Sequence, residues 1–148
     1  MAGGKGASAG KGAITADWGR LILRAVVGAG LMTHGWPKVF AVNDEGVRRI
    51  VGFTRGVAEM GFQYPEYFAW AAALSKLVGG ALLILGLGTR VAALLISGTM
   101  VVALWRSRAE GWEGMELAAL YLAPAIFFVL AGPGKKSLDA LFFKRKSG

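Results

Sequence analysis

Five ionisable side chains interrupt stretches of sequence that are otherwise apolar: Arg24, His34, Lys38, Lys76 and Glu116. Lipid disfavours each of them, and a lysine or arginine at the bilayer centre costs roughly 2.5–3.5 kcal/mol on insertion scales. Their types define the chemistry on offer. Histidine titrates near neutral pH, and a carboxylate also exchanges protons, so His34 and Glu116 are the catalytic candidates, for proton transfer to a bound quinone. Arg24, Lys38 and Lys76 suit an anion, a polar quinone oxygen, a lipid headgroup or the carboxylate of a partner. Structural roles compete with all of these. Arg24 can snorkel to the inner headgroups, and Lys76 can snorkel or bond to backbone carbonyls. His34 can serve as a hydrogen-bonded helix histidine, and Lys38 can pair with Glu116 to fix helix packing.

The 148 residues include no cysteine and one histidine. The chain alone therefore cannot hold an iron–sulfur cluster through thiolates, attach a c-type haem, run a dithiol relay or ligate a haem through two histidines. No intrinsic cofactor and no metal site are expected. A quinone or a bound lipid is the small molecule to consider, and any electrons must arrive through a bound molecule or a partner.

The elements that must carry these groups read as membrane helices. The chain is 55% hydrophobic with a mean hydropathy of +0.51, above the 45–50% apolar content typical of soluble domains. Four spans are expected at about residues 18–40, 65–88, 89–105 and 114–132, each near the length a bilayer requires. Residues 82–85, 94–96 and 126–130 leave no polar face for water, which argues against a soluble bundle. Between the first two spans, residues 43–65 show a short amphipathic pattern, too polar to span. It predicts an interfacial helix capped by Asn43 or Asp44 and ended by Gly61. Ser137 is placed to cap a short end helix through Leu138, Leu141 and Phe142. Residues 1–17 read as a flexible Gly/Ala/Lys tail, 18–142 as the membrane domain and 143–148 as a basic tail. The fold class is all-α, an integral membrane four-helix bundle.

Helical spacing puts Arg24, Gly28, Gly35 and Lys38 within about 80° of one another, with His34 beside them. Lys76 lies near Gly79 and Gly80, closest to the midplane. Glu116 shares a face with Ala119, Leu120, Ala123 and Phe127. Depth along the spans predicts an outer cluster of His34, Lys38 and Glu116, with Arg24 near the inner end. Nine lysines and arginines fall on the side of the termini and five on the other. The positive-inside rule therefore puts both termini in the cytoplasm of a bacterial cell, as a multi-pass protein of the inner membrane. The net charge of +8 reads as topology and contact with anionic lipids, and no nucleic-acid recognition motif accompanies it.

Residues 21–40 read LILRAVVGAGLMTHGWPKVF, residues 74–95 read LSKLVGGALLILGLGTRVAALL, and residues 115–142 end in GPGKKSLDALF. Taken together these resemble the DoxX family of small four-helix membrane proteins over about residues 18–142, most specifically at the GLGTR turn and the GPG…SLD exit. The resemblance implies a four-span bundle associated with membrane redox systems, including thiosulfate:quinone oxidoreductase. Members usually carry a glutamate before the second-span glycines, in a pattern like AELVGG, where this chain has Lys76 in SKLVGG. That reversal favours a non-catalytic accessory subunit of a larger membrane redox or energy-converting complex, with Lys76 docking against an acid on another subunit. The alternatives are a quinone-interacting component of a membrane oxidoreductase and a small-molecule or lipid carrier.

Overall fold

The computed structural model describes residues 5–144, with side-chain surroundings over residues 14–142. It contains α1 (Lys5–Phe40), α2 (Arg49–Ala58), α3 (Pro65–Leu85), α4 (Thr89–Ser107), a 3-10 turn (Arg108–Glu110), α5 (Gly111–Ala131) and α6 (Leu138–Lys144). No strand occurs among the described residues, and the only bridge there joins Val42 and Arg48. The chain is an all-α membrane protein whose long helices α1, α3, α4 and α5 form the bundle.

The helix ends follow from local chemistry. Pro65 at the first turn of α3 loses no hydrogen bond there, and Gly86 ends the helix in a left-handed conformation at φ 69°. Span two therefore stops three residues short of the expected 88. The 3-10 turn lets α4 run to Ser107 and α5 start at Gly111, so both extend beyond the expected ends of their spans. Pro124 lies inside α5, with Gly132 beyond its C-terminus. Helix α1 begins at Lys5, inside the segment that composition alone reads as a flexible tail. A long helix propagates cheaply once nucleated, which accounts for its continuing through residues 5–17. Residues 1–4 of that tail, and residues 145–148 of the basic tail at 143–148, lie outside the described residues.

The interfacial helix exists, but Asn43 does not cap it. Asn43 Oδ1 instead accepts hydrogen bonds from the backbone N–H groups of Glu45 (3.1 Å) and Val47 (2.8 Å), closing a tight loop ahead of α2. A side chain spent on its own turn cannot cap a helix six residues later. Ile50 and Val57 of α2 pack with Val39, Ala69 and Ala73, so α2 covers the end of α1 and α3. Ser137 does cap α6, accepting from the Ala140 N–H at 3.1 Å.

Helix α3 and the stretch Thr89–Ala131 are long and apolar enough to cross a membrane, with mean hydropathies of 1.8 and 1.9. Only 28% and 11% of those windows are buried within the protein. Core helices of a soluble protein would be mostly covered, whereas here Val91, Leu94, Leu120 and Leu130 are all more than 60% exposed. Such a surface suits lipid. Helix α1 is more polar and joins the bundle through its contact with α3. There Gly28 and Gly80 touch backbone to backbone: a Cβ on Gly28 would lie 2.5 Å from the Gly80 carbonyl oxygen, and one on Gly80 2.7 Å from that of Gly28. Small residues permit this approach, and packing of this kind drives helix association where lipid removes the hydrophobic incentive.

Gly80→Leu should therefore destabilise the protein by about 1–3 kcal/mol or more, the usual range for overpacking. Gly19→Ala, in open space on α1, should be neutral or stabilise by up to about 1 kcal/mol. Thermal unfolding of the detergent-solubilised variants checks both.

Candidate functional site

The five charged positions fall into three separate environments. Arg24 is 1% exposed, so it does not snorkel to headgroups. Its Nη2 donates to the Lys136 carbonyl, and the Asp139 carboxylate lies close enough to interact electrostatically. Nη1 occupies the space a side chain at Gly86 would need, since a Cβ there would sit 1.9 Å from it. The Asp139 carboxylate accepts from the N–H groups of Gly88 (2.7 Å) and Thr89 (3.0 Å). It thereby satisfies free donors at the N-terminus of α4. The Asp139 N–H in turn donates to the Gly86 carbonyl at 2.9 Å. The GLGTR turn and the SLD exit are thus two halves of one lock, with Arg24 inside it.

Glu116 is exposed and lines none of the pockets described below. The inward face of α5 is marked instead by Ala118, Ala125 and Phe128, while Leu120 and Phe127 are exposed. Helix α5 is apolar nearly all round, so spacing alone could not say which side faces in. The expected Lys38–Glu116 pair is not formed. Among the described residues, the one ion pair within 4.0 Å joins Arg20 and Asp17 at 3.9 Å.

Lys38 meets Lys76. The two side chains approach each other, and Arg106 lies close enough to repel Lys38. Lys38 Nζ also sits 4.0 Å from the centroid of the Phe53 ring, a cation–π contact that compensates part of its desolvation. All three cations line a pocket of about 630 Å³ between α2, α3 and α4, with Phe53, Met60 and Phe62 on its α2 side. Phe68, Leu94, Leu95 and Val102 also line it and are 39–61% exposed, so its mouth faces sideways, towards lipid.

A smaller pocket of about 190 Å³ lies behind the lysines, lined by His34, Tyr121, Ser107 and Leu117 among others. Lys38, Lys76, Ala103 and Ser107 are common to both pockets, so the lysine pair forms part of the wall between them. The His34 and Tyr121 rings meet edge-on with centroids 5.9 Å apart. His34 is therefore near Lys38, as expected, although without Glu116.

No aspartate or glutamate is among the described residues lining either pocket. Lysine and arginine only donate hydrogen bonds, so the larger pocket presents an apolar cavity with a cluster of donors at one side. A ligand matching it has acceptor oxygens on an apolar body. No group of three or more potential metal-binding side chains occurs among the described residues, and the donors here are cationic, which repels a metal ion. Sequence reasoning placed Arg106 only in the charge count of the loops and passed over Tyr121 and Phe53. Arg106 was legible as the cation ending a span free of internal charge, whereas Tyr121 and Phe53 are identified only by packing.

The fold and site define a four-helix membrane protein with a laterally open, cation-lined pocket. Residues 19–107, from α1 to the end of α4, match the family described as DoxX, and the chain belongs to that family. A Bacillus subtilis protein named "Putative oxidoreductase CatD" is 28% identical over 130 residues, covering 86% of this chain and 90% of its own. An uncharacterized protein of Haemophilus influenzae is 39% identical over 82 residues, covering 50% of this chain and 61% of its own. No solved structure matches.

Clustered cations without a counter-acid disfavour the ligand-free protein. Lys76→Met, and equally Lys76→Glu, should therefore raise the thermal midpoint of the ligand-free protein, by about 1 kcal/mol of stability. Differential scanning fluorimetry reads the change, and a fall for both variants would show that Lys76 is already well compensated.

Proposed function

We propose that this DoxX protein is a quinone-interacting subunit of a membrane oxidoreductase, with the head of the quinone held by Lys38, Lys76 and Arg106. The observation that carries this reading is the donor-only cluster set in an apolar pocket that opens to lipid. A quinone head offers acceptor oxygens on a flat apolar ring, and its volume suits a pocket of about 630 Å³, within the range of small-molecule sites. Supporting it further, the Bacillus subtilis relative carries the name of an oxidoreductase. When bound, a quinone supplies two-electron redox chemistry that this chain's side chains lack.

The cations orient the head and favour any negative charge that develops on its oxygens. The rings of Phe53, Phe62 and Phe68 exclude water from it. His34 and Tyr121 line the smaller pocket on the far side of the lysine pair, where they would pass protons towards the head. Without cysteine, and with one histidine, the chain depends on another subunit to deliver electrons, so an accessory place in a larger complex is part of the same proposal. Docking of Lys76 against an acid on that partner loses its support, because Lys76 lines two pockets and meets Lys38. With the termini in the cytoplasm of the inner membrane, the head site lies in the outer half of the bilayer. An anionic lipid headgroup offers the same acceptors, and anionic lipids are expected at the lysine-rich terminal end in any case.

Binding is measurable in nanodiscs through quenching of the tryptophans by a quinone. Lys76→Met and Arg106→Met should each weaken saturable binding by about tenfold, the loss of one charge-assisted hydrogen bond, while Glu116→Gln leaves it unchanged. Equal binding by all variants would overturn the reading. Retention of an anionic lipid with no saturable quinone binding would assign the pocket to that lipid.

A further inference from the structure

A second cavity continues the first. It is a groove of about 560 Å³ along the seam of α3 and α4, lined among others by Leu74, Val78, Leu82 and Val91. It shares Ala71 and Leu95 with the cation-lined pocket. At the junction Ser75 Oγ donates to Thr99 Oγ1 at 3.4 Å, bridging the two helices. No ionisable side chain lines the groove among the described residues. Leu74, Val78, Val91 and Leu95 are 42–65% exposed, so the groove is open along its length. From Ala71 to Leu82 it runs about 16 Å at 1.5 Å per residue, roughly half of the ~30 Å hydrocarbon core.

We infer that this groove seats the isoprenoid tail of the quinone whose head lies at Lys38, Lys76 and Arg106, an inference that rests on the head-site reading. Two features select that occupant. The polar donors are confined to one end, and the rest of the path is apolar, which is the pattern of a single-chain amphiphile. Lipid is as apolar as the groove, so the tail gains little from leaving it. What holds the tail in place is its covalent link to the anchored head, together with contacts along the walls. The α2 side of the head pocket is closed by Phe53, Met60 and Phe62, which suits a compact head better than a phospholipid headgroup that must reach water. The tail leads from the head towards the GLGTR turn, because Leu87 and Gly88 also line the groove. A long-tailed quinone would therefore enter sideways from the bilayer and lie along the protein.

The test uses the full chain in nanodiscs and a quinone bearing a photoreactive diazirine midway along its isoprenoid tail, with labelled peptides mapped by mass spectrometry. Labelling concentrated in residues 71–82 and 87–95, and suppressed by excess unlabelled long-tailed quinone, is expected. Val78→Trp, which fills the groove away from the head, should cut that labelling several-fold while a tail-less quinone still quenches tryptophan as in the unmodified protein. Label spread over all the lipid-facing helices, or label in the groove that competitor does not suppress, would overturn the tail site. If the tail-less quinone still binds saturably in that case, the head-site reading stands. If neither quinone binds saturably, the head-site reading falls and the tail site with it.

Discussion

Lys38 and Lys76 face each other inside a membrane bundle, Arg106 stands beside them, and no carboxylate is among the described residues lining their pockets. Much of the site's form answers to that constraint. Cations crowded in a low-dielectric setting repel one another more strongly than they would in water. They need acceptors, and among the described residues the pocket lining provides only the face of Phe53 and a few small polar groups. The remaining acceptors must come from outside, which is why the pocket reads as a binding site. Crowding of like charges is poor design for stability alone and is a familiar feature of sites shaped for function.

The rest of the bundle holds that strained region in place from both ends. Close backbone contact at Gly28 and Gly80 fixes α1 against α3, setting the register at which Lys38 meets Lys76. Helix α2 packs over the end of α1 and α3 through Ile50 and Val57 and brings Phe53 to Lys38. At the other end, Arg24, Gly86 and Asp139 tie the α3–α4 turn to the segment after α5. In this way Arg24, a charge buried for structure, and the cations of the proposed head site lie at opposite ends of the bundle. Arg24 has a neighbouring carboxylate and a carbonyl acceptor; Lys38 has another lysine.

Much of this was legible in the sequence, for identifiable reasons. All-round apolarity marked the long helices, and Gly, Pro and Ser marked most of their ends. The GLGTR and GPG…SLD segments resembled a family before their physical connection was visible. Residues that depend on which face of a uniformly apolar helix turns inward were not legible. Glu116 was assigned inward on α5 and is exposed, whereas Tyr121, on the same helix, faces His34. Asn43 carried a capping signal that its own loop consumed. Depth along the helix axis put Lys76 nearest the midplane and did not reveal that the long side chains of Lys76 and Lys38 converge.

The central claim is a contact between lysine nitrogen and quinone oxygen within the bundle. Solid-state NMR of the protein in bilayers, with 15N at lysine Nζ and 13C at the quinone carbonyls, measures it through dipolar dephasing. Binding as described predicts dephasing at saturating quinone that weakens in Lys38→Met and in Lys76→Met. Saturable binding with no lysine–carbonyl dephasing would contradict it.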